Sequence, residues 1–509
     1  MPSENNKRIA KNTLMLYIRM LFTMGVSLYT SRVVLATLGV EDFGIYGVVG
    51  GVVAMFSIIS GSLSAAISRF ITFELGKKED KKLNEIFFTS MTIQGILALI
   101  IFILAETIGV WFLNAKMNIS EERMIAANWV LQISILTFII NLINIPYSAF
   151  IIAYEHMKTF AYISIIEVML KLTIVYVLMI LPFDKLILYA ILLLLVTISI
   201  RIIYGIYCKK HFEECTYHFI LDKPLLKQMM TFGGWNFIGA SSGVLKDQGV
   251  NIVLNLFCGT AVNAARGLAV NVNSAVSGFV SSFMTALNPQ ITKSYAANNH
   301  QYMMQLVQQG NRFSFYLLLL FSLPILIDTE YILSVWLKLV PEHAVNFVRL
   351  ILILAMSESL SGTLITAMLA HGKIRKYQIV VGGIQMMNLP ISYFFLKMGG
   401  FPEGTMLIAI FISQICLFVR LLLLRSMIGI SAKYYIQYVY LNVILVAILS
   451  AILPYIFVKN MDQGIIRLLS VCFVSVLSTL LVIMFIGCTK DERKFALNQT
   501  MSIINNKKR

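Results

Sequence analysis

The chain opens with an apolar segment that carries a row of polar residues along one side. Arg19, Thr23, Ser27 and Ser31 recur every four residues within roughly residues 14–35, so they share one face of a helix. The segment is long enough to cross about 30 Å of hydrocarbon at about 1.5 Å per residue. A helix that is apolar except for such a stripe suits a membrane protein in which one face lines a polar cavity.

A second segment of the same kind follows a short break. The break, residues 36–44, contains glycine and acidic residues, and we expect it to end the first helix. In the segment after it, Tyr46, Ser57, Ser64 and Ser68 fall within a narrow angular range on a helix. The two segments together predict a helical hairpin with a polar lining.

The same hairpin returns in the second half of the chain without a gap. The alignment pairs Gly39 with Gly259, Gly47 with Gly267, Ser57 with Ser277 and Ala66 with Ala286. Its polar stripe contains Asp247 and Asn251 in the first segment, and Arg266, Asn273 and Ser277 in the second. Repeats of this length are typical of transporters built from two related bundles.

The composition is that of a membrane protein. Hydrophobic residues make up 58% and charged residues 13%, and the mean hydropathy is +0.80, whereas soluble domains average roughly 25% charged residues. The apolar segments predict an all-α fold of about 14 transmembrane helices. We expect a six-helix lobe over residues 1–208, a second lobe that repeats it over 209–430, and two additional helices with a basic tail over 431–509.

The positive charges are concentrated on one side of this predicted topology. The loop after the first hairpin, for example, contains Lys77, Lys78, Lys81 and Lys82. The positive-inside rule then predicts that both termini are cytoplasmic. The same asymmetry accounts for most of the net charge of +16, so we expect no nucleic-acid partner.

The residues that usually carry catalysis form no recognisable pattern. The six cysteines and six histidines show no metal-ligand spacing, and the sequence contains no H-x-x-x-H, G-x-S-x-G or P-loop motif. The sequence therefore predicts a protein that is not an enzyme and that needs no cofactor and no metal.

Charges inside the predicted spans are candidates for function, because each costs at least about 2.5 kcal/mol near a helix centre unless it is sheltered. Arg266 and Asp247 lie on the repeated stripe, and Glu358 lies among small polar residues in the middle of a span. We predict that Asp247 and Glu358 couple transport to an ion. The predicted cavity residues are Arg19, Thr23, Ser27, Ser31, Arg32, Tyr46, Ser57, Asn251, Arg266, Asn273 and Ser277.

Other charges inside the spans have structural explanations. Glu167 and Lys171 are one helical turn apart and can neutralise each other. Arg201, Arg349 and Arg467 lie near the ends of spans, from which their long side chains can reach the membrane surface.

Two runs of residues carry a resemblance to a transporter family. They are RVVLATLGVEDFGIY at positions 32–46 and AYEHMK at positions 153–158. With the basic N-terminal start and the fourteen-helix count, they resemble the Wzx-type flippases of the multidrug/oligosaccharidyl-lipid/polysaccharide exporter superfamily.

The resemblance implies two six-helix lobes arranged as a V, a central cationic cavity lined by helices 1, 2, 7 and 8, and alternating access. The substrate would be an oligosaccharide on undecaprenyl pyrophosphate, a unit of O-antigen, capsule or exopolysaccharide, moved from the cytoplasmic to the periplasmic leaflet of the bacterial inner membrane. Polysaccharide polymerase and chain-length machinery would be its protein partners. Asp247 and Glu358 depart from a strongly cationic cavity.

Two alternatives stay open at this point. A multidrug or cation exporter of the same superfamily would share the fold; Asp247 and Glu358 would suit its substrate, whereas Arg19, Arg32 and Arg266 would not. A membrane glycosyltransferase or polymerase would need catalytic residues in a sizeable external loop. The longest predicted external loops, near residues 114–124 and 328–343, contain no paired carboxylates of that kind.

Overall fold

A computed structural model describes residues 2–54, 56–78, 80–117, 119–215, 222–337 and 340–494. About 90% of these described residues are helical, and they contain no β-strand. The α-helices are α1 Pro2–Ala54, α2 Ser57–Lys77, α3 Asp80–Leu104, α4 Val110–Lys116, α5 Glu121–Ala153, α6 Met157–Ile180, α7 Lys185–His211, α8 Lys223–Val244, α9 Val250–Ala296, α10 His300–Ile327, α11 Thr329–Trp336, α12 Ala344–Ser359, α13 Gly362–His371, α14 Arg375–Met386, α15 Asn388–Lys397, α16 Gly404–Ile428, α17 Ala432–Tyr435, α18 Leu441–Asn460 and α19 Ile465–Val482.

Eleven of the described helical segments are long and apolar enough to cross a membrane. The prediction of an all-α, multi-pass membrane protein is thus confirmed. The other three predicted spans, 45–68, 231–257 and 264–288, are not among these eleven segments. All three belong to the repeated hairpin. The count of 14 stays a prediction.

The chain divides into two compact units. The first unit contains Met1–Ser241, Thr285–Met303 and Gly372–Gln378, and the second contains Ser242–Met284, Met304–His371 and Ile379–Arg509. The lobe boundaries that we predict at residues 208 and 430 remain a prediction.

Both copies of the hairpin contain the same backbone interruption. Within α1, Gly39 has φ 84° and ψ 168°, and within α9, Gly259 has φ 80° and ψ −177°. The predicted break over residues 36–44 is therefore wrong in extent, because one residue leaves the helical conformation and the helix continues on both sides. A single glycine suffices, since only glycine adopts a positive φ with extended ψ at little cost.

In the first unit, the turn of α1 that follows Gly39 is held by ion pairs. Arg123, at the start of α5, donates from Nε to Asp42 Oδ1 at 2.8 Å and from Nη1 to Asp184 Oδ2 at 2.6 Å. Asp184 also caps α7 by accepting from the backbone N–H of Leu186 at 3.1 Å. Asp42, the second of the two acidic residues in the run at positions 32–46, therefore anchors α1 to Arg123 of α5, which also pairs with the cap of α7.

In the second unit, buried ion pairs tie the C-terminal segment to α10 and to the residue that follows it. Arg467 of α19 donates from Nη2 to Asp328 Oδ1 at 2.6 Å and from Nε to Oδ2 at 3.2 Å, and both side chains are buried. Arg312 of α10 pairs with Glu492 and donates to the carbonyl of Gly487 at 3.1 Å. The prediction that Arg467 reaches the membrane surface is wrong, because its guanidinium has a buried carboxylate partner.

Candidate functional site

The predicted cavity residues of the first hairpin make separate local contacts. The Thr23 hydroxyl donates to the carbonyl of Met20 at 3.0 Å, and the Tyr46 ring meets Tyr189 edge to face, with centroids 4.9 Å apart. The Arg19 guanidinium lies 4.9 Å from the centre of the Phe160 ring on α6. Ser27 and Arg32 are exposed. The side chains of Ser31 and Ser57 lie outside the part of the structure that is described.

The second unit contains three interruptions of regular helix close to one lysine. A π-helical turn, Leu245–Gly249, separates α8 from α9. The chain also breaks between α12 and α13, at residues 360–361, and between α14 and α15, at Met387. Asn388 donates from Nδ2 to the carbonyl of Lys246 at 3.4 Å. Discontinuous helices and π-bulges are frequent at transporter and other functional sites.

The break between α14 and α15 has a cause in the sequence. Pro390 lies in the first turn of α15. A proline has no N–H and its ring clashes with the carbonyl four residues earlier, and that residue, Met386, is the last of α14. The proline therefore ends α14 and leaves α15 to begin at Asn388, beside Lys246.

Lys246 is the centre of the candidate site. Its side chain is 9% exposed, whereas those of its two carboxylate partners, Asp247 and Glu358, are 59% and 45% exposed. The ammonium forms an ion pair with Glu358, and Nζ lies 3.7 Å from Asp247 Oδ1. Consecutive residues of a regular helix do not face each other, so the π-helical turn is what brings Lys246 and Asp247 together.

Arg266 extends the site from α9. It is buried, and Nη2 donates to the backbone carbonyl of Asp247 at 3.1 Å. The contact is with the main chain of Asp247 and not with its carboxylate. The Arg266 Nε is buried without a hydrogen-bond partner in the described residues.

A second buried arginine adds to the charge of this cluster. Arg420 of α16 is buried and interacts electrostatically with Lys246. The cluster thus has three basic side chains, Lys246, Arg266 and Arg420, and two acidic ones, Asp247 and Glu358.

Hydrogen bonds between α12 and α16 fix the last turn of α12, which contains Glu358. Ser357 Oγ lies 2.8 Å from Ser413 Oγ and accepts from Gln414 Nε2 at 2.6 Å. Gln414 Oε1 accepts in turn from the Tyr440 hydroxyl at 2.9 Å. Glu358 therefore reaches Lys246 from a turn that other residues hold in place.

Three of the predicted residues, Arg266, Asp247 and Glu358, lie together in this cluster. Its other two members, Lys246 and Arg420, are absent from the predicted site. Of the other predicted residues, Asn273 and Ser277 bond to each other, with Oγ donating to Oδ1 at 2.9 Å. Asn251 is half-buried. The described residues contain no group of three or more His, Cys, Asp or Glu side chains that could hold a metal ion.

A family model described as "Polysaccharide biosynthesis protein" matches residues 9–295, more than half of the chain. The chain belongs to this family. The matched region begins ahead of the first polar stripe and runs through the second hairpin, so it includes Lys246, Asp247 and Arg266. A search of curated protein sequences gives no match.

Solved structures show that this polysaccharide biosynthesis protein has the fold of MATE transporters. An outward-facing multidrug resistance MATE family transporter of the MOP superfamily is 14% identical, with a TM-score of 0.71 over 83% of this chain and 96% of that chain. A MOP superfamily transporter from Pyrococcus furiosus, described as having a binding pocket of reverse polarity, gives the same values. A MATE transporter of Vibrio cholerae is 17% identical, with a TM-score of 0.68 over 84% and 98% of the two chains.

Proposed function

We propose that this protein is a flippase that moves oligosaccharide linked to undecaprenyl pyrophosphate from the cytoplasmic to the periplasmic leaflet of the bacterial inner membrane by alternating access. Both termini would be cytoplasmic, and polysaccharide polymerase and chain-length machinery would receive the product. The observation that carries the proposal is Lys246, a buried ammonium whose two carboxylate partners are exposed.

The chemistry of the substrate explains why such a lysine is useful. A pyrophosphate head group is anionic and strongly hydrated, so it crosses a membrane only along a path with fixed positive charge and polar groups. The exposed carboxylates of Asp247 and Glu358 also require water beside them, because burying an unpaired carboxylate in hydrocarbon is costly. Accessible carboxylates, basic side chains and a break in the helices thus occur together.

Exchange of partners at Lys246 gives a way to bind and release this head group. A phosphate can replace the accessible Glu358 carboxylate on the ammonium, and Arg266 has an additional buried donor at Nε. When the substrate leaves, Glu358 can pair with Lys246 again, so the empty protein does not retain an isolated buried charge. The returning carboxylate would assist release on the far side of the membrane.

A multidrug or cation exporter is the second candidate function, and the exposure of Asp247 and Glu358 favours it. The buried ammonium of Lys246 and the buried Nε donor of Arg266 favour the flippase. A test that uses both substrates separates the two.

The experiment uses purified protein in proteoliposomes with a sugar-labelled lipid-linked oligosaccharide or an organic cation dye. We expect wild type to move the lipid-linked sugar and Lys246→Ala to lose about ten- to a hundredfold in rate, because charge-assisted hydrogen bonds to phosphate are strong. Lys171→Ala is the matched control, since Lys171 forms an ion pair with Glu167 within α6. Dye transport without oligosaccharide transport in wild type would establish the exporter instead.

A further inference from the structure

Glu155, in the AYEHMK run, ends α5 in a conformation that normally requires glycine. Its φ is 61°. Its N–H donates to the carbonyl of Ile152 at 2.9 Å, and the N–H of His156 donates to that of Ile151 at 2.9 Å. These two bonds define a Schellman motif, in which the residue at the position of Glu155 is left-handed and usually glycine. A glutamate here therefore needs a reason beyond ending the helix.

The carboxylate of Glu155 supplies that reason. It is 2% exposed and meets two cations, with Oε2 at 2.9 Å from Arg8 Nε and Oε1 at 2.7 Å from Lys293 Nζ. Gln290 also donates from Nε2 to Oε1 at 2.6 Å. All four residues belong to the first compact unit. Three segments distant in sequence, α1, the end of α5 and α9, thus share one carboxylate.

The charges of this cluster do not balance. Two cations surround one anion, and the Arg8 side chain is 51% exposed, so the cluster is open on that side. A single carboxylate can neutralise only one of the two cations. A diphosphate has enough charge and enough acceptor oxygens to pair with both and to accept from the Gln290 amide as well.

We propose that Arg8 and Lys293 form an anion-binding station for a diphosphate group, and that Glu155 occupies this station in the present structure. The inference rests on the proposed flippase function for the identity of the diphosphate, which would be the head group of the lipid-linked substrate. Arg8 lies near the N-terminal end of α1, and we predict that this end is on the cytoplasmic side of the membrane. The substrate is made on that side. The station would take the head group before the Lys246 cluster does.

Calorimetric titration of the purified full chain tests the station, with inorganic pyrophosphate as the probe. Glu155→Gly removes the competing carboxylate and suits the left-handed backbone, and Glu155→Gln keeps the size of the side chain. We expect both variants to bind pyrophosphate about tenfold more tightly than wild type, because an intramolecular competitor is lost. Adding Arg8→Ala or Lys293→Ala to Glu155→Gly should return the affinity to the wild-type value or below.

Lys78→Gly is the matched control. Lys78 caps α2 with φ 61° and an exposed side chain, so this substitution relieves the same backbone conformation without removing a buried carboxylate. Its affinity for pyrophosphate should equal that of wild type. Tightening in this control would assign the effect to helix ends in general and overturn the station.

Titration with undecaprenyl pyrophosphate in nanodiscs identifies the source of the diphosphate. If the Glu155 variants gain affinity for the lipid alone, or more for the lipid than for inorganic pyrophosphate, the station binds the lipid head group. If they gain equal affinity for both, the station binds free diphosphate. Unchanged affinity in monodisperse Glu155→Gly and Glu155→Gln, or tightening that survives Arg8→Ala and Lys293→Ala, overturns the proposal. The Lys246 cluster is the same in all of these variants, so failure here leaves the proposed function standing.

Discussion

Gly39 and Gly259 adopt the same positive-φ backbone at matching positions of the two hairpins. A Cβ atom added at either glycine would meet nothing within 4 Å. The backbone conformation, and not the space around it, is therefore what requires glycine. The repeat that the sequence alignment predicts is thus also a repeat of backbone geometry.

Replacing either glycine should destabilise the protein. Gly259→Ala or Gly39→Ala forces an alanine into a conformation that costs about 1–2 kcal/mol, which should lower the thermal midpoint in detergent. Gly25→Ala is the control, because Gly25 lies in a regular part of α1 with open space around it; alanine there should stabilise by up to about 1 kcal/mol. Equal midpoints for all three variants would contradict the argument from backbone conformation.

Arg266 should be required for transport through its charge and its shape. Arg266→Ala should abolish transport of the lipid-linked oligosaccharide while the amount of inserted protein stays normal. Arg266→Lys keeps the charge but cannot both hold the Asp247 carbonyl and present a second donor in a fixed plane, so we expect only partial activity. The rate is measured in proteoliposomes. Full activity of Arg266→Ala would remove this residue from the substrate path.

Asp247 and Glu358 should couple transport to a cation gradient. Protonation or cation binding at Glu358 would free Lys246 to bind the substrate. An ion that binds one conformation of the transporter more tightly than the other shifts the equilibrium between the two conformations. We therefore expect imposed pH or sodium gradients to accelerate wild type but to have a weaker effect on Asp247→Asn and Glu358→Gln. Glu167→Gln, in the Glu167–Lys171 pair, is the control. If all four proteins respond alike to each gradient, these carboxylates are structural.

Thiol labelling in intact cells tests the orientation. In a background without the six native cysteines, single cysteines at Lys78, Lys210 and Lys490 should be shielded from a membrane-impermeant reagent, because the positive-inside rule places them in the cytoplasm. A cysteine at Asn114 should react. Labelling at Lys78 from outside would reverse the predicted topology.

Much of this architecture follows from local patterns in the sequence. The Glu167–Lys171 pair is confirmed, with Nζ donating to Oε1 at 2.6 Å, because residues one turn apart meet on any helix. Asp247, Arg266 and Glu358 could be selected because charges within apolar spans are costly.

The parts that the sequence could not predict depend on irregular backbone or on distant partners. Lys246 is absent from the predicted site because a regular helix would direct its side chain away from that of Asp247. A π-helical turn, which brings the two together, cannot be read from the hydropathy of the sequence. The pairing of Lys246 with Glu358, like that of Arg467 with Asp328, joins residues more than 100 positions apart. The hydrophobic periodicity of the sequence does not predict which distant residues form such pairs.

The ion pairs that hold the C-terminal segment also constrain which relatives can lack it. Arg312 lies in α10 and Asp328 directly follows its last residue, and their partners Glu492 and Arg467 lie in the C-terminal segment. Deleting that segment would strand two opposite buried charges, each costing about 3–5 kcal/mol. A shorter relative that ends before the C-terminal segment should therefore have uncharged residues at the positions of Arg312 and Asp328. The residues at these two positions would then distinguish relatives with the segment from relatives without it.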